Sequence, residues 1–280
     1  MEPIVSTRWL LARLYEPELV IVDCRFLLTD PEAGRKAYTE DHIPGAIYLH
    51  LEEQLSAPVG AHGGRHPLPE ISKLTAVLSK VGINRESIVV AYDDQGGAYA
   101  SRLWWMLKYL GHERVFVMDE GYSAWKKASF PVSDHQAVRI PSQYEADVQK
   151  NMLVSMEDVL NVVNNIDGGA MLIDSREARR YQGLEEPIDP KAGHIPGAIN
   201  KFWKDVLDEQ GCWKSTEVLK KHYEGIDPEQ EVIVYCGSGV SACPNVLALG
   251  KAGFRNVKLY AGSWSDWISY GENPVATGEE

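Results

Sequence analysis

The sequence predicts an α/β protein made of two copies of one wound unit, each a parallel sheet covered by helices on both faces. Three observations carry that reading. At 280 residues the chain is long for one domain and comfortable for two of ordinary size. Segments of the first half recur in order in the second. Short apolar runs rich in β-formers alternate with stretches of helical period, the pattern of a wound α/β domain.

The repeat is visible in four places. LVIVDCR, ending at Arg25, returns as AMLIDSR, ending at Arg176. DHIPGAIYL, from Asp41, returns as GHIPGAINK, from Gly193. SIVVAYDD, ending at Asp94, pairs with EVIVYCG around Cys236, and RVFVMDEGYSAW, ending at Trp125, pairs with NVKLYAGSWSDW, ending at Trp267. These matches set Asp23 against Asp174, His42 against His194 and Asp94 against Cys236. Chance similarity would not keep order and spacing over four segments.

The runs LVIVD, IVVAY, VFVM, MLID, VIVY and VKLY are apolar on both faces, as strands covered on both sides must be. Between them SKLTAVLSKVG reads as a helix with Ser72 as its cap. SMEDVLNVV opens with Ser155 and Asp158 at capping-box spacing, and RLWWMLKYLG stops at Gly111. Each HIPGA segment adds a Pro-Gly turn before a further short strand. The polar stretch 133–151 lacks periodicity and reads as a linker, giving domains at 1–135 and 150–280. Trp104, Trp105, Trp264 and Trp267 read as core or domain-interface residues.

Composition narrows the function. A hydrophobic content of 44% lets each half bury a core, and a net charge of -12 argues against nucleic acid and anionic membrane surfaces as partners. No apolar run approaches the roughly 18 residues of a membrane span. The first residues lack the basic start and apolar stretch of a secretory signal, so the expectation is a soluble, cytoplasmic protein. The cysteines, Cys24, Cys212, Cys236 and Cys243, contain no CxxC pair and read as thiols. His62 and His66, in HGGRHP, lack two further ligands at metal spacing, so neither a metal nor a cofactor is expected.

The chemistry concentrates at VIVYCGSGVSACP. Cys236 sits at the C-terminal end of a buried strand, where open α/β sheets place their ligands. Gly237 and Gly239 let the chain curl so that its amides point inward, and a helix is expected from about Val240, with Pro244 in its first turn. Such a cradle, closed by a positive helix end, favours a thiolate and would hold a persulfide anion as well. A buried cysteine taken alone is more often a small hydrophobe. The order strand, Cys, Gly, x, Gly, helix points to function instead. GSGVSA also fits a dinucleotide fingerprint, but it follows a late strand and no acid lies about 20 residues on. A cysteine phosphatase would close the loop with an arginine for a phosphate dianion, where this chain has Ala242.

The repeat, the two HIPGA turns, the CGSGVSA loop and the terminal GSWSDW together resemble the rhodanese superfamily over nearly the whole chain. The resemblance implies two rhodanese-like domains, the first catalytically inactive, with Asp94 standing where the second carries Cys236. It implies a sulfurtransferase in which Cys236 takes sulfur from a small anionic donor and gives it to a thiol, such as a thioredoxin-like protein, or to cyanide. Members that use thiosulfate carry basic residues after the cysteine, whereas Gly237-Ser238-Gly239-Val240-Ser241 resembles the loop of those that use 3-mercaptopyruvate. On that resemblance Arg180 binds the donor anion, Lys191 stands in for a second arginine absent from EEPIDPKAGH, and Ser238 with His42 moves a proton. Thiosulfate:cyanide transfer, and a non-catalytic persulfide carrier for a sulfur-delivery partner, remain the alternatives.

Overall fold

A computed structural model describes residues 2–164 and 169–279, and the chain separates into two compact units. One comprises Met1–Ala57, Pro69–Gln149 and Leu207–Trp213; the other comprises Pro58–Leu68, Lys150–Val206 and Lys214–Glu280. The division is therefore not a single cut in the 133–151 stretch. Residues 58–68 belong with the second unit and residues 207–213 with the first, and residues 136–149 group with the first rather than standing apart.

The first unit runs β1 (Ile4–Val5), α1 (Thr7–Leu11), β2 (Leu19–Asp23), α2 (Ala33–Glu40), β3 (Ile47–Tyr48), α3 (Ile71–Lys80), β4 (Ile88–Tyr92), α4 (Ala98–Tyr109), β5 (Val115–Met118) and α5 (Gly121–Lys127). The second runs β6 (Leu153–Val154), α6 (Met156–Asn164), β7 (Met171–Asp174), α7 (Ala178–Tyr181), β8 (Ala198–Asn200), α8 (Thr216–His222), β9 (Val232–Tyr235), α9 (Cys243–Ala252), β10 (Val257–Tyr260) and α10 (Ser263–Trp267). The sheets have the same order, β1-β5-β4-β2-β3 and β6-β10-β9-β7-β8, and every pairing is parallel. All six apolar runs are strands. The two-residue edge strands β1 and β6 are too short to show a period in the sequence.

The cores follow from the strand faces. Every residue of β2 and β9, interior strands of their sheets, is buried, so both faces of each sheet are covered there. Ile21, Val90, Phe116 and Trp125 pack in the first unit, and Leu172, Ile233, Trp264 and Trp267 in the second. At the helix ends, Ser155 and Asp158 cap each other reciprocally, the Ser155 amide at 2.8 Å from Asp158 Oδ2 and the Asp158 amide at 3.2 Å from Ser155 Oγ. Gly111 takes a left-handed φ of 77° just beyond α4. Ser72 does not cap α3. The helix begins one residue earlier, after Glu70, so Ser72 lies inside the first turn. Among the described residues no helix is long and apolar enough to cross a membrane.

A buried ion pair recurs at the C-terminal end of the same strand in each unit. Arg25 Nη2 lies 2.6 Å from Asp23 Oδ2, and Arg176 Nη2 lies 2.7 Å from Asp174 Oδ2. Each arginine also donates to a main-chain oxygen just before the HIPGA turn, that of Asp41 or of Gly193, and so ties strand to turn. Burial disfavours the Arg176 charge, but the Asp174 carboxylate more than offsets it and holds the guanidinium pKa above its ordinary value. Removing one partner leaves the other charge buried and unpaired. Asp174→Ala is expected to destabilise the protein by about 3–5 kcal/mol in denaturant unfolding. A loss below about 1 kcal/mol would show that the pair is dispensable.

Candidate active site

Cys236 follows β9, the central strand of its sheet, and its residue is 1% exposed. The start of α10 fixes the chain on either side of the sulfur. The Cys236 amide donates to Ser263 Oγ at 3.1 Å, and that hydroxyl donates to the Tyr260 carbonyl at 2.8 Å. The amides of Trp264 and Ser265 donate to the carbonyls of Cys236 and Gly237, each at 3.0 Å. Ser263 does this from a left-handed φ of 57°, a conformation costly for a residue with a Cβ, so the clamp is held against local strain. Gly239 is also obligatory: its φ is +74°, and a Cβ there would lie 2.1 Å from the Ala261 carbonyl oxygen.

Helix α9 starts at Cys243 rather than near Val240, with Pro244 in its first turn. The loop is longer than the sequence implied because Gly239 turns the chain before the helix can begin. No main-chain carbonyl among the described residues accepts from the amides of Gly237, Ser238, Val240 or Ser241, which leaves these donors for an anion at the loop.

The first unit shows what such a loop does with an anion. Tyr92 and Tyr235 are equivalent: each faces the strand-end aspartate, Asp23 or Asp174, and each hydroxyl accepts from the amide of the HIPGA isoleucine. The counterpart of Cys236 is therefore Asp93, and Asp94 matches Gly237. This corrects by one position the pairing of Asp94 with Cys236, since the tyrosine before each loop sets the register. Asp93 is buried, and its carboxylate accepts four amides, those of Gln95, Gly97, Tyr99 and Ala100, at 2.8–2.9 Å. Asp94 instead accepts from the amide and hydroxyl of Ser123.

In the second unit, residues 58–68 bring further groups to the cysteine loop. This segment is fastened to α10 and the residues after it. The Gly63 amide donates to Asp266 Oδ1 at 2.6 Å, the Arg65 amide to Ser265 Oγ at 3.1 Å, and His62 meets Ser269 Oγ at 2.8 Å while stacking on Tyr270. Gly64 allows the close approach, since a Cβ there would stand 2.4 Å from the Gly262 carbonyl oxygen. So placed, the buried His66 sets Nδ1 at 2.8 Å from Ser238 Oγ. The end of Arg65 comes beside Gly237, with Nη2 2.9 Å from where a Cβ would be; Arg180 Nη2 and Nη1 lie 3.6 and 3.8 Å from the same point.

Acids hold these arginines. Asp189 bridges Arg65 Nη1 and Arg180 Nη2, while Glu186 accepts from Arg180 at 2.7 Å and from Arg176 at 3.2 Å. Burial raises the Glu186 carboxyl pKa, but the Arg180 hydrogen bonds and the amides of Asp189 and Ile188 outweigh it and hold it below its ordinary value.

The expected site residues are only partly brought together. Ser238, Gly237, Gly239, Val240 and Ser241 form the cysteine loop, and Arg180 reaches it. Lys191 is exposed; its carbonyl, not its ammonium, is used, accepting from Trp264 Nε1 at 2.9 Å. His42 is taken up by its own unit, Nδ1 at 2.7 Å from the Tyr38 carbonyl and Nε2 at 3.1 Å from that of His135, with its ring stacked on Tyr38. It braces the HIPGA turn, and the histidine on Ser238 is His66. Spacing gave no route to Arg65 and His66, because the groups they meet lie more than 100 positions away. The surviving signal was the Gly63-Gly64 pair that folds the segment back.

Two of the other thiols are biased toward the protonated form. Burial pushes Cys24 well up, and burial with Asp119, Asp208 and Glu120 nearby pushes Cys212 up to about 11. Cys243 is buried and donates to the Gly239 carbonyl at 3.4 Å. Glu32, His50 and Glu53 do come together, but Arg35 pairs with both glutamates and both His50 nitrogens are hydrogen-bonded to main chain, which does not suit a cation. The Glu186 network gives a pH signature. A carboxyl pKa lowered by folding contributes stability above its ordinary value of 4.5 and loses that contribution as pH falls through the lower, folded value. The stability difference between the parent and Glu186→Gln should accordingly shrink on acidification through and below pH 4.5; a pH-independent difference would place the effect elsewhere.

Comparison with known proteins agrees with this geometry. The Rhodanese-like domain family matches residues 6–128 and again residues 159–270. The chain is 41% identical over 281 residues to a protein of Pseudomonas aeruginosa named "Probable 3-mercaptopyruvate sulfurtransferase", covering 99% of this chain and 98% of that one. It is 32% identical over 284 residues to the thiosulfate sulfurtransferase of Rattus norvegicus, covering 95% of this chain and 91% of that one. The crystal structure of SseA from Escherichia coli, titled as a 3-mercaptopyruvate sulfotransferase with the "Rhodanese" fold, superposes with a TM-score of 0.82 at 29% identity, covering 95% of this chain and 100% of that one. With two matched domains, full-length relatives and a cysteine loop at the centre of its second sheet, the chain belongs to the rhodanese family and is a sulfurtransferase.

Proposed function

We propose that this sulfurtransferase takes sulfur from 3-mercaptopyruvate, carries it as a persulfide on Cys236, and passes it to a thiol or to cyanide. The observation that carries the choice of donor is the hydrogen bond between Ser238 Oγ and His66 Nδ1, two residues from the cysteine. The Cys236 thiolate attacks the donor sulfur and the carbon–sulfur bond breaks. The bonding pair stays on carbon as the enolate of pyruvate, and that carbon needs a proton. The donor thiol loses one. A serine hydroxyl backed by a histidine can carry the proton from sulfur to carbon, so that pyruvate leaves with its methyl complete and Cys236 keeps an ionised persulfide. Thiosulfate would leave as sulfite, a stable anion that takes no proton, and would give the Ser238–His66 pair nothing to do.

Charge supports the same donor. Arg65, Arg176 and Arg180 face Asp174, Glu186 and Asp189, three guanidiniums against three carboxylates. Such a cluster accepts a single carboxylate more readily than a dianion placed beside a thiolate. In the second half-reaction the acceptor, a thiolate such as that of a thioredoxin-like protein or cyanide, attacks the outer sulfur and Cys236 leaves as thiolate. The first unit takes no part in the chemistry on this reading, because Asp93 fills its cradle with a carboxylate that cannot carry sulfur.

Incubation with mercaptopyruvate and no acceptor should add the mass of one sulfur to the Cys236 peptide and to no other, and cyanide should remove it. Turnover in a folded Cys236→Ser protein would refute the carrier. The donor assignment has its own check. Ser238→Ala and His66→Gln should each lower kcat/KM for mercaptopyruvate by about 100-fold or more while changing thiosulfate use by less than about threefold. Equal losses with both donors would refute the proton path.

A further inference from the structure

We propose that Arg65 is the second donor-binding cation of this enzyme, forming with Arg180 a two-guanidinium clamp for the carboxylate of the sulfur donor. The proposal rests on the reading that an anionic donor loads Cys236, and it adds the residue that the segment after Arg180 lacks: between Glu185 and His194 the only cation is Lys191, which is exposed.

The geometry is specific. Arg65 spends one nitrogen and Arg180 two on holding themselves, and each turns another toward the cysteine loop. Arg65 gives Nη1 to Asp189, and Arg180 gives Nε and Nη2 to Glu186 and Asp189. Arg65 Nη2 and Arg180 Nη1 have no acceptor among the described residues, and both lie within 4 Å of the Cβ position that Gly237 leaves empty. Two unspent N–H groups from separate arginines therefore converge next to the residue that follows the nucleophile. A planar carboxylate takes donors from two sides well.

The shared acid makes the pair a unit. The Asp189 side chain is 2% exposed and touches both arginines, so it fixes their spacing and offsets their repulsion. Gly237 completes the arrangement: any side chain there would meet Arg65 first. A basic residue at that position would drive the clamp apart, which explains why a loop built around Arg65 and Arg180 carries no cation of its own. A merely structural Arg65, tied to Asp189, would not need its second nitrogen turned toward the loop.

The test uses the full chain and a reagent pair that differs in charge alone. Iodoacetate and iodoacetamide both alkylate a thiolate by displacing iodide, and only iodoacetate carries a carboxylate. The rate at Cys236 is followed by mass spectrometry of its peptide and normalised to a small free thiol. The parent protein should favour iodoacetate over iodoacetamide by about tenfold or more, and Arg65→Gln should lose most of that preference with its iodoacetamide rate unchanged. Arg65→Lys, which keeps charge and bulk if the glutamine variant fails to fold, should retain an intermediate preference. Arg179→Ala, whose side chain is exposed and paired with Glu185, should match the parent. Pyruvate should slow the alkylation of the parent and not of Arg65→Gln. An unchanged preference in folded Arg65→Gln, or the same loss in Arg179→Ala, would overturn the assignment. The ratio involves no sulfur donor, so an enzyme inactive with mercaptopyruvate would refute the donor reading and leave this result standing.

Discussion

Main-chain amides gathered at the end of a central parallel strand need an anion, and each repeat answers that need differently. In the first, Asp93 is the anion: four amides close on its carboxylate and the loop is complete within itself. In the second, Cys236 occupies the same place, and the amides of Gly237, Ser238, Val240 and Ser241 find no main-chain acceptor among the described residues. On the proposed reading, the sulfur carried at Cys236 would supply the negative charge that the Asp93 carboxylate supplies in the first unit. The rest of the second unit can be understood as support for that arrangement. Ser263 accepts strain to hold the Cys236 amide, and Gly239 bends the chain where no side chain would fit.

On the proposed reading, an anionic donor must also be drawn to the site in a protein whose net charge is -12. The solution is local and balanced. Arginines are placed at the loop, but each is matched by a buried acid, so the loop is offered N–H donors of fixed direction rather than a surplus of positive charge. Directional donors select by shape and charge number, whereas a bare cation would attract any polyanion.

The fold was legible because its signals are local. Six apolar runs, two HIPGA turns and the Ser155–Asp158 box each declare themselves within a few residues, and the repeat supplied the order. The loop around Cys236 was legible for the same reason. What lay beyond reach was contact across the sequence. His42 and His66 both precede a proline-containing turn; only the tertiary position of residues 58–68 decides that His66 meets Ser238 while His42 is consumed by the carbonyls of Tyr38 and His135. The slip between Asp93 and Asp94 has another origin. The tyrosine before each loop, Tyr92 or Tyr235, already carries the register in the sequence, and its pairing with Asp23 or Asp174 fixes it in the sheet.

Residues 58–68 lie in the first half of the chain yet belong to the second unit, fastened there by Asp266, Ser265 and Ser269. Sequence repeat and functional module are consequently out of step. The histidine on Ser238 and the arginine beside Gly237 both come from a stretch that the chain places within its first repeat. Recombination between relatives at residues 133–151 would therefore exchange His66 and Arg65 without the cysteine loop that they meet. A substitution in that stretch would therefore be felt some 200 residues downstream, at the side chains of Asp266, Ser265 and Ser269 that hold it in place.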